Sequence, residues 1–421
     1  MKWTEGIDKL GIALYLMLCI FAIFNIYSVK ADLGQKQLIF FGISLFVGMM
    51  IFFMRTKFFE NMSPIIYVGG VLLLIGLFPF GTEILGQKNW YKFGGFTMQP
   101  VEFAKIGTTL MLANYASNQD FDIKKKRSLY TSIGIVAIPG IVVLMIPDVG
   151  SLLVFFAFTL ALYREGLSGW LFGIIFFFAI IFLTSLGIHN IDLENSNRNL
   201  LFFVIFILLI ATGLIFLNFR RIPWNIISIL SIVGALVVVC SIAYASPKIL
   251  EKLPTHQRQR IDVLYKGESK KEFRDNIGYN LLYSKTAIGS GGFMGKGYKQ
   301  GSVTQGRFVP EQETDYIFCT VGEEWGFLGS TLLIICYSVF IGRIYYLAEN
   351  QKSTFNRVFG YSFASILLIH FAINLGMVMG LFPTVGIPLP FFSYGGSSLL
   401  AFSIMTFIFF KLNYADKNSL V

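Results

Sequence analysis

Between Pro310 and Tyr316 the chain reads Pro-Glu-Gln-Glu-Thr-Asp-Tyr and then runs into the aromatic and apolar stretch Tyr316-Ile317-Phe318. Asp315 is crowded by Glu311 and Glu313. Like charges and partial burial both raise a carboxyl pKa, as a general base working near neutral pH requires. An acidic loop tip, or a cation site using Asp315 and Glu313, would employ the same residues. Upstream, Lys248 to Arg307 holds 12 Lys/Arg against 5 Asp/Glu, whereas Glu311, Glu313, Asp315, Glu323 and Glu324 follow with no basic residue among them. A cationic bed thus runs into an acidic corner. Arg258, Arg260, Lys285 and Lys296 could hold a pyrophosphate, because Arg presents planar donors that suit phosphate; a solvated basic face reads the same from sequence. The glycines at 289, 291, 292, 295 and 297 are reminiscent of a phosphate-cradling loop, although their spacing is not a Walker motif.

A second group lies earlier in the chain. Gly86 to Lys105 crosses from a loop into a helix, with Pro100 suited to a first helical turn. Glu102 and Lys105, three apart, share a helix face; they read either as an ion pair that lets two charges live near lipid or as the lining of a lipid head-group site. Trp90 and Tyr91 suit an interfacial anchor. Asp148 follows Pro147 at a helix break, where a carboxylate most often caps the following helix. His256 and His370 have no partner pattern and read as structural.

The elements that must carry these groups are apolar. The chain of 421 residues is 55% hydrophobic and only 14% charged, with 45 Phe and a mean hydropathy of +0.67. Soluble domains are about a quarter charged, so the composition points to a polytopic membrane protein. Although the formal charge is +10, it falls largely between apolar runs, which argues against nucleic acid as a partner. The four cysteines show no CxxC or Cys/His spacing, so neither a disulfide framework nor a zinc site is indicated. The first apolar run is expected to be a retained span rather than a signal peptide.

Apolar stretches fall at 10–28, 38–54, 63–80, 99–117, 129–147, 149–163, 169–188, 200–218, 223–246, 329–348, 358–381 and 397–411. The expected fold is therefore all-α, a polytopic integral membrane protein of about twelve transmembrane helices. An even count puts both termini on one side. With the termini inside, the short inner segments carry fifteen Lys/Arg and the short outer segments five, which satisfies the positive-inside rule. The termini are then cytoplasmic and 247–328 is a large extracytoplasmic loop. The run 149–163 is short and could be re-entrant or tilted. The pair within 200–246 reads as an added helical hairpin. No internal repeat or composition break is seen, so 1–421 reads as a single membrane domain.

Six stretches together resemble the SEDS family (shape, elongation, division and sporulation): Gln99 to Lys105, Pro147 to Gly150, Gln257 to Ile261, Ser284 to Gly292, Pro310 to Asp315 and Phe392 to Ser398. Gly295 to Tyr298 and Pro388-Leu389-Pro390 are more similar to the RodA branch than to the FtsW branch. The resemblance covers nearly the whole chain. It implies a peptidoglycan glycosyltransferase of the bacterial inner membrane that polymerises lipid II and works with a class B penicillin-binding protein. The family's catalytic aspartate then falls on Asp315, its membrane-boundary tryptophan on Trp90, its helix carboxylate and lysine on Glu102 and Lys105; Glu311 and Ser393 lie in its motifs and are expected to meet substrate. Val101 stands where the family usually has Ser and Glu313 where it usually has His, adding a negative charge beside Asp315. With Arg258, Arg260, Lys285 and Lys296, Mg²⁺ or Mn²⁺ would neutralise an undecaprenyl pyrophosphate leaving group. Two other classes fit many spans: a transporter flipping a lipid-linked precursor, and a non-catalytic scaffold for the penicillin-binding protein. Transporters tend to show repeats and midplane sites, and a scaffold has no need of Asp315.

Overall fold

The computed structural model describes residues 8–84, 87–94, 96–169, 241, 245, 248, 255–266 and 277–418. The expected spans at 169–188, 200–218 and 223–246, and with them the hairpin, lie outside the described residues but for isolated positions. The chain divides into two compact units, 1–167 with 283–421, and 168–282.

In the first unit three helices come first: α1 (Lys9–Val29), α2 (Ala31–Phe53) and α3 (Thr56–Ile75), the last followed by the single turn α4 (Leu77–Phe80). Asp8 caps α1 by accepting from the Gly11 amide at 2.9 Å and pairs with Arg343. α5 (Pro100–Ala116) opens with Pro100, whose fixed φ and missing N–H cost nothing at a first helical position. α6 (Lys126–Met145) is followed by the expected break at Pro147-Asp148. The short run after it is two helices, α7 (Val149–Phe155) and α8 (Ala157–Arg164). Late in the chain lie the turn α11 (Ser302–Gln305) and three long helices, α12 (Ile317–Glu349), α13 (Thr354–Val378) and α14 (Gly396–Asn418). The span expected from 329 is already helical at Ile317 and kinks at Gly326, so its first turns carry Glu323 and Glu324 of the acidic corner.

Among the described residues seven helices are long and apolar enough to cross a membrane, and the chain is a multi-pass membrane protein. Large apolar side chains on their outer faces are exposed, Ile39, Phe46 and Leu72 each by about 60%; water would penalise such stripes, lipid does not. Inside, α5 packs on α3, α6, α13 and α14, and α13 also packs on α12 and α8.

One feature was not expected from a helical chain. The loop before α5 forms a small antiparallel sheet in the order β1 (Thr82–Ile84), β2 (Gln87–Phe93) and β3 (Phe96–Met98). Tyr91 donates to the Leu73 carbonyl at 2.8 Å and Lys88 to the Phe78 carbonyl at 2.7 Å, fastening the sheet to the end of α3 and to α4.

In the second unit lies α9 (Thr255–Lys266), where Arg258 is 3.7 Å from Asp262 one turn on and Val263 is buried, as is Leu281 further along the chain. α10 (Ile277–Ser290) leads into the glycine-rich segment.

Candidate functional site

Asp315 lies in the last turn before α12, half-buried, and the two residues before it, Glu313 and Thr314, are bound to one loop, 386–395. The Tyr394 amide donates to the Glu313 carbonyl at 2.8 Å. The Ser393 hydroxyl donates to the Thr314 carbonyl at 2.5 Å and accepts from the Leu389 amide at 2.8 Å. Asn374 of α13 donates to the carbonyls of Asp315 at 2.9 Å and Ile387 at 2.7 Å, joining the two segments. A Cβ at Gly386 would stand 3.1 Å from Asp315 Oδ2, and its φ of +71° is one that side-chain-bearing residues rarely adopt. A glycine there lets the loop lie against the carboxylate. Burial, and then the Glu313 carboxylate, push the Tyr394 phenol above its ordinary range, so it stays neutral.

Behind this loop is a buried polar chain. Lys105 donates to Glu102 Oε1 at 2.9 Å and lies 2.8 Å from His370 Nε2, while His370 Nδ1 lies 3.1 Å from the Pro388 carbonyl. Glu102 and Lys105 are 1% and 0% exposed. Of the two readings of this pair, direct contact with a head group is therefore corrected: a sealed ammonium cannot touch lipid, and the ion pair is what the structure contains. His370, read from sequence as structural, is its third member. Its partners lie 265 and 18 positions away, and no local pattern announces either.

Asp148 does cap its helix, accepting from the Ser151 amide at 2.9 Å, and it also accepts from Asn89 of β2 at 3.1 Å. A Cβ at Gly150 would meet the Val385 carbonyl at 2.9 Å, so the start of α7 abuts the loop beside Asp315. Trp90, half-buried on β2, is the neighbour of Asn89 in the same strand.

The glycine-rich segment is built for close packing. Lys296 and Gly297 donate their amides to the carbonyls of Glu323 and Glu324 at 2.9 and 3.0 Å. At Gly295, φ is +83° and a Cβ would stand 2.2 Å from the Glu324 carbonyl oxygen, a distance no side chain tolerates. At Gly291 and Gly295, packing against α12 accounts for the glycine. Lys296 pairs with Glu323 at 2.7 Å, and Glu323, fully buried, also accepts from the amides of Val303 and Thr304 at 2.9 and 2.7 Å. Lys296 therefore spends its charge on a carboxylate rather than standing ready for an anion. Glu324 accepts from Ser28 at the end of α1 and from Gln305 at 3.2 Å.

Of the expected site residues, the structure brings Asp315, Glu313 and Ser393 together, with Glu102 and Lys105 behind them. Glu311 is exposed in the same turn, with φ +57°, and accepts from the Thr314 hydroxyl at 3.1 Å. Lys285 is exposed on α10; Arg258 and Arg260 belong to the second unit. Asn374 was not anticipated. Among the described residues no three His, Cys, Asp or Glu side chains converge as a metal site.

The sequence profile of the cell cycle proteins FtsW, RodA and SpoVE matches residues 7–203 and 199–418. A peptidoglycan glycosyltransferase of Escherichia coli K12, MrdB, is 27% identical over 398 residues, 94% of this chain and 90% of that one. The peptidoglycan glycosyltransferase RodA of Treponema pallidum is 29% identical over 375 residues, 84% and 83% of the two chains. Two solved structures share the fold. A chain of a peptidoglycan synthase complex superposes with a TM-score of 0.68 at 22% identity, covering 98% of this chain and 99% of that one. The rod shape determining protein RodA of Thermus thermophilus gives 0.62 at 20%, covering 99% of each. With a profile that spans almost every residue and a fold matched end to end, the chain belongs to the FtsW/RodA/SpoVE family of cell cycle proteins, the SEDS family.

Proposed function

We propose that this protein is a peptidoglycan glycosyltransferase that polymerises lipid II at the outer face of the bacterial inner membrane during cell elongation, both termini being cytoplasmic. The observation that carries the reading is the setting of Asp315. It is half-buried, its own carbonyl and those of Glu313 and Thr314 are bound by Asn374, Tyr394 and Ser393, and a glycine lies against its carboxylate. A carboxylate whose backbone is fixed on three successive carbonyls is held for a task that needs position.

In the reaction Asp315 takes the proton from the 4-hydroxyl of the acceptor GlcNAc as that oxygen bonds to the anomeric carbon of the donor MurNAc. The bond from that carbon to the undecaprenyl pyrophosphate oxygen breaks with inversion, and the electron pair leaves with the pyrophosphate. Because pyrophosphate is already a good leaving group, no second carboxyl is needed as an acid, in contrast to glycoside hydrolysis. Lys285 supplies positive charge for the departing group, while Lys296 pairs with Glu323 and holds the glycine-rich segment. Trp90 anchors the sheet at the membrane boundary, and Glu311, in the turn before Asp315, meets the acceptor sugar.

A divalent cation fits the donor chemistry of this corner. Mg²⁺ is usually held by one or two carboxylates plus substrate phosphates, so Glu313 beside Asp315 would be enough from the chain. What such an ion supplies is neutralisation of pyrophosphate charge. The partner this reading implies is a class B penicillin-binding protein, in keeping with the synthase complex whose chain shares this fold.

The reading is tested by incubating the purified protein, reconstituted with the class B penicillin-binding protein of the same organism, with labelled lipid II. Glycan strands resolved on a gel are expected. Transbilayer movement of lipid II without strands would instead support a transporter.

A further inference from the structure

The buried chain from Glu102 to the 386–395 loop has a part that the proposed reaction does not use. His370 is 2% exposed and in the middle of the packed helix α13. Its ring packs edge-on to Phe402 at 5.1 Å, and the same aromatic ring faces the Lys105 ammonium at 5.1 Å. The partners fix its hydrogens. An ammonium has only donors, so Nε2 must accept from Lys105; Nδ1 then carries the hydrogen and donates to the Pro388 carbonyl. A doubly protonated ring would put a donor against a donor at 2.8 Å. The neutral ring is thus a rigid strut with one end on a buried charge and the other on the loop. That loop in turn binds the carbonyls of Glu313 and Thr314 and lies against the Asp315 carboxylate.

We propose that His370 is a positioning residue for Asp315: its two ring nitrogens tie the buried Lys105 to the Pro388 carbonyl and so fix the loop that sets where the carboxylate stands. This rests on Asp315 being the base. One turn along α13, Asn374 binds the carbonyls of Asp315 and Ile387 directly, so α13 holds the loop at two points, and His370 is the one that reaches the charge network. A displaced carboxylate still lets lipid II bind but meets the hydroxyl out of line, and a misplacement of about 1 Å can cost about 100-fold in rate.

The side-chain amide of Asn reaches the place of Nδ1 and that of Gln the place of Nε2. His370→Asn therefore keeps the bond to Pro388, and His370→Gln keeps only the bond to Lys105. In the reconstituted complex with its penicillin-binding partner, His370→Leu is expected to lower kcat for lipid II polymerisation by about 10- to 100-fold with KM within about twofold. His370→Asn should recover most of that loss and His370→Gln little of it. Should the Leu variant not fold, the Asn and Gln pair decides alone. Parental kcat per folded molecule in the Leu or Gln variant overturns the proposal, as do a rise in KM at unchanged kcat and Gln rescuing as well as Asn. Asp315→Asn separates the two layers. If it polymerises like the parent, the base assignment fails and the proposal with it; if it is inactive beside a fully active Leu variant, only the positioning role of His370 fails.

Discussion

Glu323 shows how a residue that reads as one of several acids becomes an anchor once its partners are known. In sequence it belongs to a patch of five carboxylates that includes Asp315; in the structure it is sealed and accepts from Lys296 and two backbone amides. Replacing it by Gln keeps the shape but leaves a half-buried ammonium and at least one amide without an anionic acceptor. Such losses cost about 1–3 kcal/mol. Glu323→Gln should therefore lower the thermal midpoint of the purified protein by several degrees, read by differential scanning fluorimetry in detergent, and an unchanged midpoint would contradict the anchoring role. The same lesson applies to His370. Asp315 was legible from its acidic, aromatic neighbourhood and its family motif, whereas the groups that hold it, Asn374 and His370, come from a helix that reads only as an apolar span.

At the scale of elements, legibility followed local chemistry. The long helices were readable because a bilayer demands about 20 apolar residues in a row, and the cap at Asp148 because Asp after a helix break has one common use. The sheet at 82–98 was not readable: its strands are three to seven residues long, interrupted by Lys, Asn and Gly, and closed by turns. What it does can be tested at Asp148, which joins β2 to α7 through Asn89. Asp148→Ala loses both the cap and that link and should destabilise by about 1 kcal/mol, whereas Asp148→Asn, which still caps, should stay within a few tenths. Equal midpoints for the two variants would mean that the cap is not what Asp148 contributes. The glycine-rich segment carries the opposite warning. Its glycines look like a ligand loop in sequence, yet Gly295 lies so close to the Glu324 carbonyl that packing against α12 accounts for it.

For the whole molecule, the distribution of charge makes a topological prediction that no single helix makes. Fifteen basic residues on the short inner segments against five on the outer ones put Lys125 inside and Lys299 outside. Single cysteines introduced there into a variant lacking its native cysteines should be unreactive and reactive, respectively, towards an impermeant maleimide applied to spheroplasts; the reverse pattern would invert the orientation and move Asp315 to the wrong side for an exported substrate. The helical bundle and the long apolar helices among the described residues could be read ahead of the structure because lipid acts on every residue at once. The loop architecture that holds the carboxylate could not, because it depends on contacts between segments more than fifty positions apart. The central claim is that this architecture makes Asp315 a base. Its most direct test is the rate of glycan strand formation from labelled lipid II by Asp315→Asn, folded and bound to its penicillin-binding partner, beside the parent. Loss of about 100-fold or more in strand formation with lipid II binding retained is the predicted result, and strands formed at the parental rate would contradict it.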